Sequence, residues 1–84
     1  MSLDEQFKSA AERVKTLTSR PSNEDLLELY ALFKQGSDGD VTGSRPGMFD
    51  LKGRAKYDAW ASKKGTGKDA ARTAYVALVD RLKG

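Results

Sequence analysis

The chain contains no cysteine and no histidine among its 84 residues. Disulfide bonds, thiolate metal sites and every catalytic arrangement that needs a cysteine or a histidine are therefore excluded. The sequence also lacks any apolar run as long as a signal peptide or a membrane span. We accordingly expect no catalytic residue, no bound metal, no cofactor and a cytoplasmic location.

The small size limits the chain to one domain, over residues 1–84. A chain of this length buries only about 60% of the surface that its unfolded form exposes, so it needs one modest core. Because no apolar face is left over once that core has formed, we expect a monomer.

Positive charge is concentrated in one part of the chain. The total is 15 basic against 12 acidic residues, but residues 52–72 hold seven basic and two acidic residues, a net charge of +5. Tyr57 and Trp60 interrupt this block. Such a segment is typical of a site for an anionic ligand and equally of a solvated helix face.

A first amphipathic helix is predicted near the N-terminus. Ser2 and Glu5 form a capping box, and Arg20-Pro21 is expected to end the helix because the residue before a proline avoids helical geometry. The apolar stripe, at the helical spacing i, i+3, i+4, i+7, consists of Phe7, Ala10, Ala11, Val14 and Leu17.

A second helix follows, and then a long loop. Ser22 or Asn23 is the expected N-cap and Gly36 the expected stop. The predicted stripe is Leu26, Leu29, Tyr30 and Phe33. Residues 36–47 contain four of the eight glycines and show no periodicity, which predicts a loop; loops of this length in a small domain are usually functional or disordered.

Two more helices are predicted after the loop. Asp50 is expected to cap the third, which contains Ala55, Ala59 and Trp60 and is terminated by Gly65; Thr66 and Asp69 form a capping pattern for the fourth. The fourth stripe comprises Ala71, Ala74, Tyr75, Leu78, Val79 and Leu82. No alternating β-branched run is present, so the expected fold is all-α, a single four-helix bundle with a long loop between helices two and three.

Tyrosines and lysines occur together on these predicted helices. Tyr30 and Lys34 share a face of helix two, Lys56 lies in the basic segment, and Tyr75 lies on the stripe of helix four. An aromatic residue on a helical stripe more often belongs to the core, and a surface lysine is more often merely solvated. Together, however, ring faces and ammonium groups suit a nucleotide, whose base stacks and whose phosphates accept charge-assisted hydrogen bonds.

Two other motifs carry less information. The sequence GTGKD at 65–69 lacks the spacing of a phosphate-binding loop and has no preceding strand, so it is interpreted as a turn between helices. Asp38-Gly39-Asp40 starts like a calcium loop, but Phe49 stands where the final acidic ligand is needed. Neither motif predicts a site.

Three blocks of the sequence resemble the acyl-CoA-binding protein family. They are YALFKQ at 30–35, RPGM at 45–48 and KGRAKYDAW at 52–60, and the match extends back to Phe7 and forward to Tyr75. The resemblance implies an up-down-down-up four-helix bundle that binds one long-chain acyl-CoA ester without chemistry on it. It also implies a role as a pool former, buffer and carrier of such esters, with acyl-CoA-using enzymes and transient membrane contact as further partners.

The family pattern implies a role for individual residues. Tyr30, Lys34 and Lys56 would hold the 3'-phosphate and its ribose, with Lys15 near the phosphates. The base would be bordered by Ala11 and Phe33, and Tyr75 would pack against the nucleotide. Contacts to the acyl chain would come from Phe7, Leu26, Leu27 and Leu29. The family commonly has tyrosine where this chain has Phe33, so one hydroxyl is missing.

Two functions other than that of a carrier are conceivable for this sequence. A small basic helical module for nucleic acid is suggested by the segment 52–72, but the total charge is low and Asp58 and Asp69 interrupt the run. A thioesterase would need a nucleophile, and the serines show no nucleophile-elbow spacing. No nucleic-acid partner is therefore expected.

Overall fold

A computed structural model describes residues 1–83 and contains four α-helices in this part of the chain. They are α1 (Leu3–Arg13), α2 (Asn23–Asp38), α3 (Leu51–Ala61) and α4 (Lys68–Lys83), with a short 3-10 segment at Val14–Thr16 and no strand in the described residues. The all-α prediction is confirmed. No helix within residues 1–83 has the length and apolarity that crossing a membrane requires.

Three of the four helix starts are capped as predicted. The side chains of Ser2, Ser22 and Asp50 accept hydrogen bonds from backbone N–H groups three residues later, at 3.2, 3.1 and 3.0 Å. The fourth start differs, because α4 begins at Lys68 and the Gly67 carbonyl accepts from the N–H of Ala71. Thr66 lies one residue too early to cap this helix, since its backbone already belongs to the preceding turn.

The ends of the first two helices were predicted wrongly. Helix α1 ends at Arg13. The Thr16 hydroxyl donates a hydrogen bond to the Arg13 carbonyl at 2.8 Å, and the backbone of Leu17 is extended. Helix α2 continues through Gly36 to Asp38 and ends at Gly39, whose φ of +84° favours glycine.

Gly36 is a packing residue rather than a stop signal. A Cβ atom there would come within 2.9 Å of Arg72 Cγ and 3.2 Å of Phe7 Cζ, so α1 and α4 can approach α2 only over a glycine. Likewise α3 ends at Ala61, and the predicted terminator Gly65, with a φ of +91°, closes the turn that follows.

Side-chain contacts between helices fix their directions. Arg72 pairs with Asp4 near the beginnings of α4 and α1, and Arg13 pairs with Asp80 near their ends at 2.6 Å, so these two helices are parallel. Helix α2 runs opposite to α4, because the Gly36 carbonyl near its end accepts from Arg72 Nε at 2.8 Å.

Helix α3 runs parallel to α2. Leu51 at its start shares a cavity with Asn23 and Leu27 at the start of α2, and Trp60 near its end donates to the Gly39 carbonyl at 2.8 Å. The up-down-down-up arrangement predicted from the resemblance is thereby confirmed.

The core lies between α1, α2 and α4, and is narrower than the predicted stripes. Its buried members are Phe7, Ala10, Leu29, Leu32, Ala71, Tyr75, Leu78 and Val79. Ala74, predicted to be in the stripe of α4, is exposed, whereas Leu82 packs at the margin of the core. On α2 the buried side is centred on Leu29 and Leu32, while Phe33 is left exposed.

The loop between α2 and α3 is held against its neighbours. Arg45 forms two hydrogen bonds with Asp58 at 2.9 and 2.7 Å, and Tyr57 donates to the Gly43 carbonyl at 3.1 Å. The loop therefore has a defined path across α3 in spite of its glycines.

Candidate functional site

An open apolar face runs along α2. Leu26, Tyr30, Phe33 and Ser37 are spaced by four, three and four residues, which places them on one side of a helix. None of them is buried, and Phe33 exposes 38% of its surface. A partly exposed row that contains two aromatic rings is a candidate surface for a ligand.

A first cavity, here called the aromatic cavity, opens at the end of this row nearer the C-terminus of α2. It has a volume of about 450 Å³, and its apolar wall comes from Phe7, Ala11 and Phe33. The charges of its lining balance, because two cations and two carboxylates contribute to it: Lys8, Arg72, Asp4 and Glu12. Its apolar wall and the exposed ring of Phe33 suit a flat aromatic ligand group.

Three aromatic rings determine the shape of this cavity. Phe33 stacks on Phe7 with centroids 5.3 Å apart and an interplanar angle of 21°. Tyr75 contacts both from the core, at 5.2 Å from Phe7 and 5.8 Å from Phe33. Burial raises the pKa of the Tyr75 phenol, which therefore stays protonated and neutral at physiological pH.

A second cavity, here called the leucine cavity, lies between α2 and α3. It has a volume of about 420 Å³ and is lined by Leu26, Leu27 and Leu51. Three cationic side chains, Arg20, Lys52 and Lys56, also border it. The cavity thus combines an alkyl wall with positive charge at its edge.

Two lysines lie beside Tyr30 and form a cluster with it: Lys34, one turn further along α2, and Lys56 on α3. Tyr30 lies on α2 between Leu26 and Phe33, and Lys56 Nζ is 5.5 Å from the centroid of its ring. Lys34 Nζ is 4.8 Å from the centroid of the Trp60 ring. Ammonium groups and a phenol are groups that can hold a phosphate dianion.

Lys34 is engaged by a carboxylate of its own helix. Its Nζ lies 2.5 Å from Asp38 Oδ2, one turn further along α2. This hydrogen bond raises the pKa of Lys34, whereas partial burial opposes the rise. A phosphate that binds Lys34 must therefore compete with Asp38.

The predicted site residues fall into separate groups in the structure. Ala11 and Phe33 share the aromatic cavity, and Phe7 lies with them rather than with Leu26 and Leu27 in the leucine cavity. Leu29 is buried in the core and lines neither cavity. Lys15 is exposed and lies 3.8 Å from the carboxylate of Glu12.

Sequence reasoning missed several residues of the site. Asp38 had a readable signal, because a carboxylate four residues after a lysine is its neighbour on a helix. Arg72 had none: it donates to the Gly36 carbonyl, pairs with Asp4 and lies 5.5 Å from the Phe7 ring centroid. Arg20 and Lys52 reach the leucine cavity from separate segments, so only the fold brings them together.

A polar network behind the site fixes the end of α2 against the turn before α4. The buried amide of Gln35 donates to Asp40 at 2.8 Å and to the Thr66 carbonyl at 2.7 Å, and Asp40 accepts from the Gly65 N–H at 2.9 Å. The Gly65 N–H, followed by Gln35, lowers the pKa of Asp40. The residues Asp38-Gly39-Asp40 thus serve a helix end, and within residues 1–83 no cluster of carboxylates suits a metal ion.

Comparisons with known proteins agree on one family. The family model described as "Acyl CoA binding protein" matches residues 4–79. "Acyl-CoA-binding protein homolog 1" of Caenorhabditis elegans is 63% identical over 76 residues, which cover 90% of this chain and 88% of that protein. "Acyl-CoA-binding protein homolog" of Manduca sexta is 58% identical over 83 residues, covering 98% of this chain and 92% of that protein.

A solved structure has the same fold. The crystal structure of Oryza sativa Acyl-CoA-Binding Protein 2 superimposes with a TM-score of 0.93 at 47% sequence identity. The superposition covers 96% of this chain and 90% of that chain.

Proposed function

The chain belongs to the acyl-CoA-binding protein family, and we therefore propose that it binds one long-chain acyl-CoA ester and releases it unchanged. In this proposal it pools, buffers and carries such esters as a monomer in the cytoplasm and delivers them to acyl-CoA-using enzymes. Residues 1–84 act as a single acyl-CoA-binding domain.

The observation that carries the proposal is the order of groups along the open face of α2. The aromatic cavity, the cluster of Tyr30, Lys34 and Lys56, and the leucine cavity follow one another. An acyl-CoA ester carries an adenine ring, a phosphate next to it and a long alkyl chain. The surface of the protein therefore offers a ring, cations and an aliphatic wall to match each part.

Each end of the ligand has its own residues in this proposal. Phe33 and Ala11 border the adenine, while Tyr75 keeps the Phe33 ring in place from the core. The 3'-phosphate lies among Tyr30, Lys34 and Lys56.

Lys15 acts at longer range on the remaining phosphates, because its side chain is exposed. Leu26 and Leu27 contact the alkyl chain directly, whereas Leu29 supports them from the core. Phe7, within the aromatic cavity, lies closer to the adenine end than to the chain.

The two ends contribute differently to binding. At about 0.8 kcal/mol per buried methylene, a 16-carbon chain supplies on the order of 10 kcal/mol before the costs of ordering it. This contribution is not selective, since a fatty acid has the same chain. Selectivity for the ester must come from the phosphate and base contacts, so a free fatty acid should bind poorly.

The proposal includes no catalysis. The family that the chain belongs to is one of binding proteins. Without cysteine or histidine, the chain has no nucleophile and base pair of the kinds that hydrolyse thioesters most often.

Nucleic acid is a poorer candidate. Part of the positive charge in residues 52–72 is taken up within the fold, where Lys63 pairs with Glu28 at 2.8 Å and Arg72 pairs with Asp4. The comparisons also give this alternative no support.

Calorimetric titration with hexadecanoyl-CoA, palmitate, CoA and adenosine 3'-phosphate tests the proposal. We expect one-to-one binding of the ester and much weaker binding of palmitate. Lys34→Ala should weaken ester binding by about tenfold or more, since a hydrogen bond to a charged group contributes about 1.5 to 3 kcal/mol. Lys68→Ala is the matched control, because Lys68 is exposed at the start of α4 and should leave the affinity unchanged. Equal affinities for ester and palmitate, or equal effects of the two variants, would contradict the proposal.

A further inference from the structure

An exposed apolar tip lies where the loop meets α3, formed by Met48 and Phe49 of the loop and by Leu51, the first residue of α3. These three side chains expose 67%, 94% and 75% of their surface. Single exposed apolar residues are ordinary, but three within four positions form a patch that costs free energy in water. Phe49 lines neither cavity, so the site described above does not account for it.

Cations lie on the side of this tip that Leu51 occupies. Lys52 follows it directly, and Leu51 shares the leucine cavity with Lys52, Lys56 and Arg20. None of these three cations forms an ion pair with a carboxylate in residues 1–83. The one carboxylate within the tip, Asp50, is turned to the N–H of Gly53 as the cap of α3. The surface therefore complements a negatively charged partner.

The shape of the tip favours a lipid surface over a protein. A stable protein interface buries about 800 Å² on each partner, which is more than the three side chains of the tip can supply. Insertion into a bilayer interface needs only a few apolar side chains when cations nearby meet anionic headgroups.

We propose that the tip of Met48, Phe49 and Leu51 docks on lipid bilayers that carry anionic headgroups, with Lys52 and Arg20 facing the headgroups. Docking places the mouth of the leucine cavity, through Leu51, at the membrane surface. An alkyl chain then passes between bilayer and cavity with little exposure to water. The docking itself stands on the exposed tip and its cations, whereas this transfer role rests on the proposed function.

Flotation of the ligand-free protein with vesicles tests the docking. The vesicles are phosphatidylcholine alone or phosphatidylcholine with about one third phosphatidylserine, whose charge attracts lysine and arginine near the surface. We expect binding to the mixed vesicles only. Phe49→Ser should reduce the partition coefficient by about tenfold or more, because burial of a phenylalanine is lost.

Charge variants separate attraction from insertion. Lys52→Gln should reduce binding to the mixed vesicles by about fivefold. The matched control Lys68→Gln removes the same charge at the opposite end of the bundle and should change binding far less. In Phe49→Trp, the tryptophan emission should shift to the blue on addition of the mixed vesicles, since the other tryptophan, Trp60, is already buried.

The outcomes distinguish docking from ester binding. Because Phe49 is almost fully exposed, Phe49→Ser should keep the thermal stability and, in lipid-free calorimetry, the ester affinity of the unmodified chain. Unchanged vesicle binding of Phe49→Ser, equal effects of Lys52→Gln and Lys68→Gln, or no binding to mixed vesicles by a chain that binds the ester would overturn the docking. A dimer in sedimentation equilibrium that Phe49→Ser dissociates would overturn it too, in favour of a second copy on the tip. Vesicle binding without ester binding would support the docking and refute the proposed function alone.

Discussion

Replacing Asp38 by asparagine should strengthen the binding of acyl-CoA. In the ligand-free chain the Asp38 carboxylate holds Lys34 Nζ at 2.5 Å, where it competes with the 3'-phosphate. Asparagine is almost the same size and removes the negative charge. It leaves Lys34 free for the phosphate and removes a like charge from its neighbourhood.

The magnitude follows from the geometry and exposure of the pair. At 2.5 Å the Coulomb energy of two unit charges is about 1.7 kcal/mol in water. The two side chains are 30% and 50% exposed, so the entropy of ordering them and screening by salt reduce the net value. Exposed pairs of this kind contribute about 0.2 to 1 kcal/mol, which predicts an affinity gain of about 1.4-fold to fivefold.

Calorimetric titration at low and high salt measures this gain. It should shrink as salt is added, because the interaction is electrostatic. It should also vanish for an ester of 3'-dephospho-CoA, which lacks the competing phosphate. Asp80→Asn is the matched control, since it makes the same change in net charge near the C-terminal end of α4, away from Lys34. Protein stability should hardly change, because the lost ion pair with Lys34 is offset by the removal of a negative charge that is unfavourable in the last turn of α2.

Three results would refute this reasoning. Weaker ester binding by Asp38→Asn would show that Asp38 orients Lys34 for the ligand rather than competing for it. An equal gain for the dephosphorylated ester would place the effect away from the 3'-phosphate. An equal gain in affinity for Asp80→Asn would show that the gain comes from the change in overall charge.

Two further predictions concern the aromatic cavity and the network behind it. Phe33→Tyr should increase ester affinity by up to about tenfold, because one neutral hydrogen bond contributes about 0.5 to 1.5 kcal/mol; calorimetry measures it, and no gain would show that the hydroxyl has no partner on the ligand. The lowered pKa of Asp40 adds stability that is present above its unfolded value of 3.8 and is lost as the pH falls through the lower folded value. Asp40→Asn should therefore show a smaller drop in melting temperature under acid than the unmodified chain, and parallel pH profiles of the two would contradict this.

Local sequence signals predicted the helices and their caps well. Ser2, Ser22 and Asp50 cap helices as expected, because an N-cap depends on residues only three positions apart. Helix ends were less predictable. In the sequence Gly36 is typical of a helix end, but in the structure it lies within α2 where Phe7 of α1 and Arg72 of α4 pack against it.

The candidate site was predictable mainly through the resemblance. The residues alone placed Tyr30 and Phe33 on an apolar stripe, which usually means burial. The fold leaves Phe33 exposed and Tyr30 half-buried, because the side of α2 turned towards α4 is centred on Leu29 and Leu32 instead. Which part of a wide stripe becomes core depends on the angle at which the neighbouring helix packs, and no local pattern contains that angle.

The sequence by itself determined the helical class, the number of helices and the chemistry available to the chain. These properties depend on composition and on spacings within single helices. Only the tertiary structure decided that Phe33 meets Phe7 and Tyr75, that Lys56 reaches Tyr30, and that Met48, Phe49 and Leu51 stay in water. Those contacts join side chains that are far apart along the chain, so they depend on how the helices pack and are not determined by any local sequence pattern.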